Sequence, residues 1–111
     1  MRNLIISRHP ATVKAITSRY SGIDFDIITG NAIPADVAGN LCIGNLPLHL
    51  ASLCCVYIAV EFEKFPPRGE EFSAEDMWKQ FGMSLRRYAV KQFEVSSPES
   101  AKCILENIHD I

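Results

Sequence analysis

The fold is decided by the stretch Leu4-Ile5-Ile6-Ser7-Arg8-His9-Pro10-Ala11, in which a short apolar run meets a polar, basic turn and then a proline. The apolar run is typical of a strand that is buried on both faces of a parallel sheet. Pro10 suits the first position of a helix, because its fixed φ fits the helix and the N–H that it lacks would have no partner there. The stretch therefore predicts the first strand, loop and helix of an α/β domain.

The polar turn of this stretch is a candidate anion site. Ser7, Arg8 and His9 follow the carboxyl end of the predicted strand and precede the amino end of the predicted helix. Open α/β sheets bind ligands at this edge, where free backbone N–H groups and the helix dipole favour anions. We interpret the three side chains as a phosphate site. The alternative is structural, with Ser7 capping the helix, Arg8 in a surface ion pair and His9 solvated.

Length and charge limit the class of protein. The 111 residues fit one domain, residues 1–111, and the composition of 48% hydrophobic and 22% charged residues is typical of globular proteins. A formal net charge of −2 argues against a broad basic surface for extended DNA or RNA. An anionic ligand must then be held by a few local cationic and backbone groups.

Targeting signals are missing from the sequence. No apolar run approaches the ~20 residues that cross a bilayer, and the N-terminus lacks the basic-then-apolar pattern of a secretion signal. We therefore expect a cytoplasmic protein that does not bind membranes.

The cysteines have no pattern of a metal site or a disulfide framework. They show neither C-x-x-C spacing nor a nearby histidine at metal-ligand spacing, and they are Cys42, Cys54, Cys55 and Cys103. We interpret them as small buried hydrophobic residues and expect neither a structural metal nor a cofactor.

A second unit repeats the plan of the first. Leu41-Cys42-Ile43 predicts a buried strand, Gly44-Asn45 a loop, and residues 46–53 a helix with Pro47 in its first turn. Gly44 lacks a side chain and so lets the backbone approach a ligand closely. If the two strands are neighbours, their loops form one crevice. The second unit would contribute Gly44, Asn45, Leu46, Pro47 and His49, unless His49 faces the core of its helix.

The remaining patterns complete an alternation of strands and helices. Residues 24–28 alternate as a strand near a sheet edge, a helical turn begins near Pro34, and residues 56–60 form the strongest strand pattern. Residues 61–71 predict an irregular loop, in which Arg68 is a third candidate for an anionic ligand; the alternative is an exposed arginine on a mobile loop.

The last third of the chain predicts two helices and a strand. Ser73 is the expected N-cap of a helix. Its core-facing stripe would consist of Met77, Phe81, Leu85 and Tyr88, with Gly82 as a weak point. Arg86 and Arg87 would lie in its last turn, where they complement the helix dipole. Residues 89–95 predict a strand. Ser97-Pro98-Glu99 predicts a terminal helix with an inward face of Ala101, Ile104, Leu105 and Ile108.

The alternation predicts a Rossmann-like, three-layer α/β domain with a mostly parallel sheet of about five strands. The sequence has no G-x-G-x-x-G, no G-x-x-x-x-G-K-[ST] and no G-x-S-x-G, which excludes the common dinucleotide, nucleoside-triphosphate and hydrolase fingerprints. Reasoning from the residues alone ends at a small domain with a phosphate-binding crevice.

Three ordered blocks resemble a family of small CRISPR-associated proteins of type III systems. They are Ile6-Ser7-Arg8-His9-Pro10-Ala11, Ile43-Gly44-Asn45-Leu46-Pro47-Leu48-His49-Leu50-Ala51 and Pro67-Arg68-Gly69-Glu70-Glu71-Phe72-Ser73. The family typically reads S-R-H-P-G, G-T-L-P-V-[NH]-L-A and P-R-G-x-E-L-S. This chain departs from the pattern at several positions, among them Ala11, Asn45 and Phe72, and the resemblance ends near Val95.

The resemblance implies a fold related to Rossmann-fold sensor domains and a ring nuclease activity. Such an enzyme binds cyclic oligoadenylate, with cyclic tetra-adenylate as the expected ring, across the two-fold axis of a homodimer. It cleaves the ring without a metal, by attack of a ribose 2′-hydroxyl, to linear products with a 2′,3′-cyclic phosphate, and so switches off type III CRISPR signalling.

The resemblance also suggests roles for residues. His9 would act as general acid or base, Arg8 would stabilise phosphoryl charge, and Ser7 would position the phosphate, with His49 and Arg68 as second-rank candidates. Two alternatives remain open at this point. One is a protein that binds and sequesters the ring without cleaving it, and the other is an α/β interaction subunit whose loop residues are structural.

Overall fold

A computed structural model describes residues 1–67, 69–95 and 97–107, and it confirms a Rossmann-like α/β fold with a five-stranded, mostly parallel sheet. The strands are β1 (Asn3–Ile6), β2 (Asp26–Ile28), β3 (Leu41–Gly44), β4 (Val56–Glu61) and β5 (Ser84–Tyr88). The helices are α1 (Pro10–Arg19), α2 (Pro34–Val37), α3 (Leu48–Ala51), α4 (Ala74–Lys79) and α5 (Pro98–Glu106).

The strand order is β2-β1-β3-β4-β5. The first four strands are parallel, and β5 runs antiparallel to β4. From β1 the chain moves to one side to form β2 and then crosses back to form β3 on the other side. In open α/β sheets such a reversal opens a crevice beyond the carboxyl ends of the two central strands, here β1 and β3.

The core lies in two layers on opposite faces of the sheet. Leu4 and Ile5 are both fully buried but point to opposite faces, as successive strand residues must. Ile5 packs with residues of α1 and α4, whereas Leu4 packs with residues of α2 and α3. The prediction of a strand buried on both faces is confirmed, and the helices on either side make the fold three-layered.

Trp78 of α4 contacts helix α1 in two ways. The indole Nε1 of Trp78 donates a hydrogen bond to the carbonyl oxygen of Ala15 at 3.1 Å. The guanidinium of Arg19 lies 3.7 Å above the centre of the same ring, a cation–π contact. Both contacts anchor the middle and the carboxyl end of α1 on α4.

The predicted edge strand at residues 24–28 is confirmed in type and place, but it is only three residues long. Ile27, which lies on its expected apolar face, is 47% exposed. The short helix near Pro34 is confirmed. The helix predicted at residues 46–53 is reduced to α3, a single turn.

The long helix predicted after Ser73 is wrong beyond its first turns. Ser73 is the N-cap, and its hydroxyl accepts a hydrogen bond from the backbone N–H of Asp76 at 3.1 Å. The helix then ends at Lys79. Gly82 has a φ of +59°, a left-handed conformation that reverses the chain and that glycine adopts without strain. The residues after it therefore return as β5.

Two further predictions change with this strand. Arg86 and Arg87 lie on β5 rather than in the last turn of a helix, and Arg86 pairs with Glu61 on β4 at 3.1 Å. Residues 89–95, predicted as a strand, have no regular secondary structure. The sheet still has five strands, because β5 takes the place that the later segment was expected to fill.

The terminal helix begins at Pro98 as predicted, with the Ser97 hydroxyl as its cap. The inward orientation was wrong, because none of the described residues of α5 is buried, and Ile104 and Leu105 are more than half exposed. Ile108 lies outside the described residues.

The cysteines divide between core and surface. Cys42 is buried, and burial raises the pKa of its thiol to about 12. Cys54 is half-buried, and burial raises the pKa of its thiol as well. Cys55 and Cys103 are exposed, which corrects the prediction of four buried cysteines. None of the helices in the described ranges is long and apolar enough to span a membrane.

Candidate functional site

A cavity of about 740 Å³ opens at the carboxyl edge of the sheet, at the reversal between β1 and β3. Its walls come from the four segments that leave the carboxyl ends of β1, β2, β3 and β4. The volume is within the usual range for small-molecule sites. The position agrees with the crevice that the sequence predicted from the two repeated strand-loop-helix units.

The structure brings most of the predicted site residues to this cavity. The residues on its wall that the sequence singled out are Ser7, Arg8, His9, Asn45, Leu46, Pro47 and His49. Gly44 lies directly before Asn45 but does not line the cavity. Arg68 lies outside the described residues.

Gly44 is needed by the sheet. It pairs with Ile6 at the ends of β3 and β1 and has a φ of +154°. A Cβ atom at this position would lie 2.3 Å from the carbonyl oxygen of Ile6, far inside van der Waals contact. The missing side chain thus allows β3 to approach β1, whereas the sequence interpretation assigned it to the approach of a ligand.

Ser7 organises the turn before α1. Its hydroxyl oxygen accepts a hydrogen bond from the backbone N–H of His9 at 3.1 Å, and its own N–H donates to the carbonyl oxygen of Ile28 at 3.0 Å. The N-cap residue of α1 is His9, so Ser7 does not cap the helix as the structural alternative supposed. The Ser7 hydroxyl donates to no acceptor in the described ranges, so its hydrogen can be offered to a ligand.

The imidazole of His9 is not simply solvated. Its Nδ1 atom is buried and has no hydrogen-bond partner among the described residues. An unpaired buried polar atom destabilises a fold by about 1–3 kcal/mol, so its presence needs an explanation. Because the ring lines the cavity and its Nδ1 has no partner in the described part of the chain, His9 is a candidate reacting group.

Arg8 is held by a neutral partner. Its Nη2 donates to the side-chain oxygen of Asn31 at 2.8 Å, which joins the β1–α1 turn to the segment after β2. Arg8 takes part in none of the ion pairs between described residues. Because the amide of Asn31 carries no charge, the positive charge of the guanidinium remains available to an anion.

The loop after β3 is attached to β4. The side-chain oxygen of Asn45 accepts a hydrogen bond from the N–H of Val60 at 3.1 Å, and the N–H of Leu46 donates to the Tyr57 hydroxyl at 3.1 Å. The side-chain nitrogen of Asn45 remains a possible donor. His49 is exposed on α3 and lines the cavity, so it does not face the core.

The electrostatics of the wall favour an anion. Among the described residues that line the cavity there is no aspartate or glutamate, while Arg8 and two histidines are present. The first turn of α1 also contains no acidic residue, so its positive dipole end is not neutralised locally. This is notable in a chain of net charge −2. The wall that contains Ser7, Arg8 and His9 therefore presents a guanidinium and a helix amino end with no carboxylate from the described lining to oppose them.

Sequence reasoning missed two parts of the wall. Asn31 follows the carboxyl end of β2, and the same edge rule that identified Arg8 could have identified it. The segment after β4 contributes Phe62, Phe65 and Pro66 to the cavity. The sequence interpretation considered only the arginine and the prolines of this segment. An aromatic residue just after a strand end is also a signal of a binding site.

Comparison with protein families gives a match over most of the chain. A family model described as "Putative CRISPR-associated protein (Cas_VVA1548)" matches residues 4–91. The matched region runs from β1 through β5 and includes every residue that lines the cavity. No curated protein and no solved structure matches the chain significantly.

Proposed function

Because the chain belongs to the Cas_VVA1548 family of CRISPR-associated proteins, we propose that it is a ring nuclease of type III CRISPR systems. It binds cyclic oligoadenylate, with cyclic tetra-adenylate as the expected ring, and cleaves it to linear products that end in a 2′,3′-cyclic phosphate. Destroying the messenger switches off the signalling that depends on it. The proposal joins the CRISPR association of the family to the anion site described above.

The observation that carries the proposal is the charge of the cavity wall. A ring of phosphodiesters presents several negative charges, and the described wall offers Arg8, two histidines and the amino end of α1 with no carboxylate to oppose them. The imidazole of His9 lines the same wall and adds a group that can donate or accept a proton beside the anion. Binding and proton transfer are thus both supported by side chains on one wall.

The reaction needs few catalytic groups from the protein, because the nucleophile is a hydroxyl of the substrate itself. The 2′-oxygen of a ribose attacks the phosphorus on the neighbouring 3′-oxygen, the bond to the 5′-oxygen breaks, and a 2′,3′-cyclic phosphate forms. One proton leaves the 2′-hydroxyl and one is delivered to the 5′-oxygen. The protein has to align the attack, stabilise charge on the phosphoryl oxygens and transfer protons.

We assign these tasks to the residues of the turn before α1. Arg8 stabilises phosphoryl charge, and its bond to Asn31 fixes the guanidinium in place. The Ser7 hydroxyl, held by the N–H of His9, positions a phosphate oxygen. His9 transfers a proton as general acid or base. His49 and Arg68 remain second-rank candidates.

A homodimer is part of the proposal. A ring built from identical nucleotides is symmetric, so two copies of one chain related by a two-fold axis can present the same loops to opposite halves of it. The cavity opens at the sheet edge, where the loops of a second copy could complete the enclosure. The dimer is therefore expected to carry the ring at its axis.

The proposal is tested by incubating the purified protein with cyclic tetra-adenylate in EDTA and following the nucleotides by chromatography and mass. We expect linear products with a 2′,3′-cyclic phosphate, because the intramolecular attack does not require a metal. Cleavage that occurs only when a divalent ion is restored would contradict this mechanism. An intact ring that co-elutes with the protein would identify a sequestering protein, and an intact ring that stays free would reject ring binding.

Arg8→Ala is expected to weaken ring binding by about 10- to 100-fold, since a hydrogen bond to a charged group contributes about 1.5–3 kcal/mol. Cleavage should fall as well, because the same guanidinium stabilises the developing charge. The measurement is a titration of labelled ring by fluorescence anisotropy. Arg86→Ala is the matched control, since Arg86 pairs with Glu61 outside the cavity; equal losses in both variants would indicate a general charge effect.

A further inference from the structure

The segment that follows β4 gives the cavity an aromatic rim. Phe62 is half-buried and packs against the core, and its ring centre lies 6.0 Å from that of Phe65 at an interplanar angle of 49°. Phe65 itself is 79% exposed, yet it lines the same cavity as Arg8 and His9. Phe62 therefore connects an exposed ring to the rigid sheet, so that the ring is supported without being covered.

Exposure alone does not single out Phe65. Phe93 is 82% exposed and lies away from the cavity, and isolated apolar side chains on a surface are ordinary. What distinguishes Phe65 is its place beside Pro66 on the wall of the cavity that also contains Arg8 and His9. One cavity thus has a charged part for phosphates and a flat apolar part that no phosphate can use.

We propose that Phe65 is a stacking platform for an adenine base of the bound ring. This inference rests on the proposed function and adds the part of the ligand that the anion site leaves unexplained. Each nucleotide has a phosphate, which Arg8 and the turn before α1 can hold, and a flat base whose faces gain free energy by stacking on an aromatic ring. Pro66 extends the apolar surface beside the ring.

The energetic consequence can be measured. Replacing an aromatic side chain that stacks on a base weakens binding by about 5- to 150-fold. Phe65→Ala should show a loss of this size, whereas Phe65→Tyr should retain affinity because its ring keeps the flat face. The fold should not suffer, since substitutions at exposed positions usually change stability little. Phe93→Ala is the matched control for the loss of an exposed phenylalanine.

The decisive experiment uses cyclic tetra-adenylate in which one adenine is replaced by 2-aminopurine, whose fluorescence is quenched by stacking. We expect quenching on binding to the wild-type protein, Phe65→Tyr and Phe93→Ala, and its relief in a ring-saturated Phe65→Ala variant. Equal affinity and equal quenching in Phe65→Ala would overturn the platform while leaving ring binding intact. Failure of the wild-type protein to bind the ring would overturn both proposals.

Discussion

Replacing His9 by alanine is expected to lower the rate of ring cleavage by about 10²- to 10⁴-fold, the usual contribution of a general acid or base. Binding should change much less, because Ser7 and Arg8, the proposed phosphate contacts, are unchanged. The backbone N–H of residue 9 also still donates to the Ser7 hydroxyl, so the turn keeps its shape. The unpaired Nδ1 disappears with the ring, and stability should therefore not fall.

Single-turnover cleavage with protein in excess is the appropriate measurement, since it separates chemistry from binding and product release. His49→Ala is the matched control, because His49 lies on the same cavity wall but on α3. A large loss in His9→Ala with a small loss in His49→Ala supports the assignment. Near-normal cleavage by His9→Ala would move proton transfer to another group, with His49 as the next candidate.

Gly44→Ala is expected to destabilise the fold by about 3 kcal/mol, the combined effect of backbone strain and steric overlap. The new Cβ would lie 2.3 Å from the carbonyl oxygen of Ile6, and neither atom can move without separating β3 from β1. These strands are the centre of the sheet. The melting temperature should therefore fall by roughly 10–20 °C.

Thermal unfolding followed by circular dichroism measures this effect. Gly22→Ala is the control, because a Cβ there would have no neighbour within 4 Å and the residue does not have a positive φ. A Gly44→Ala protein with the same melting temperature as the wild type would show that β1 and β3 separate easily. The close approach that we ascribe to this glycine would then not be a requirement of the fold.

The first strand, turn and helix could be predicted because their signals are local. An apolar run, a polar turn and a proline lie within eight residues, and each restricts the backbone at its own position. The structure begins α1 at Pro10, as predicted. The repeat of this plan after residue 41 then gave the parallel sheet, since two such units place their strands side by side.

The prediction of one helix from Met77 to Tyr88 was wrong because the apolar spacing fits both a helix and a strand. A spacing of four residues follows one face of a helix, but it is also an even number and so follows one face of a strand. Met77 belongs to α4, whereas Leu85 belongs to β5 with buried Met83 before it. Gly82 separated the two structures, and the sequence interpretation had treated it only as a weak point of one helix.

The candidate site could be placed on the sheet from sequence, but the contacts between its residues could not. The rule that ligands bind at strand carboxyl ends gave the edge and the residues next to it. The bond between Arg8 and Asn31 joins residues 23 positions apart, and it depends on β2 pairing with β1. Likewise, no local pattern states whether an apolar helix face meets a partner, which is why α5 was expected to face inward.

The shortness of β2 has a consequence for affinity. A three-residue edge strand that buries little apolar surface can open locally while the rest of the sheet remains intact. Such an opening would carry Asn31 away from Arg8 and break the hydrogen bond between Ser7 and Ile28. A ligand that requires Arg8 in place binds only the closed form, so its apparent dissociation constant is the intrinsic one divided by the closed fraction. The hydrogen-exchange rates of the β2 amides and the apparent dissociation constant of the ligand would therefore both depend on the same opening equilibrium.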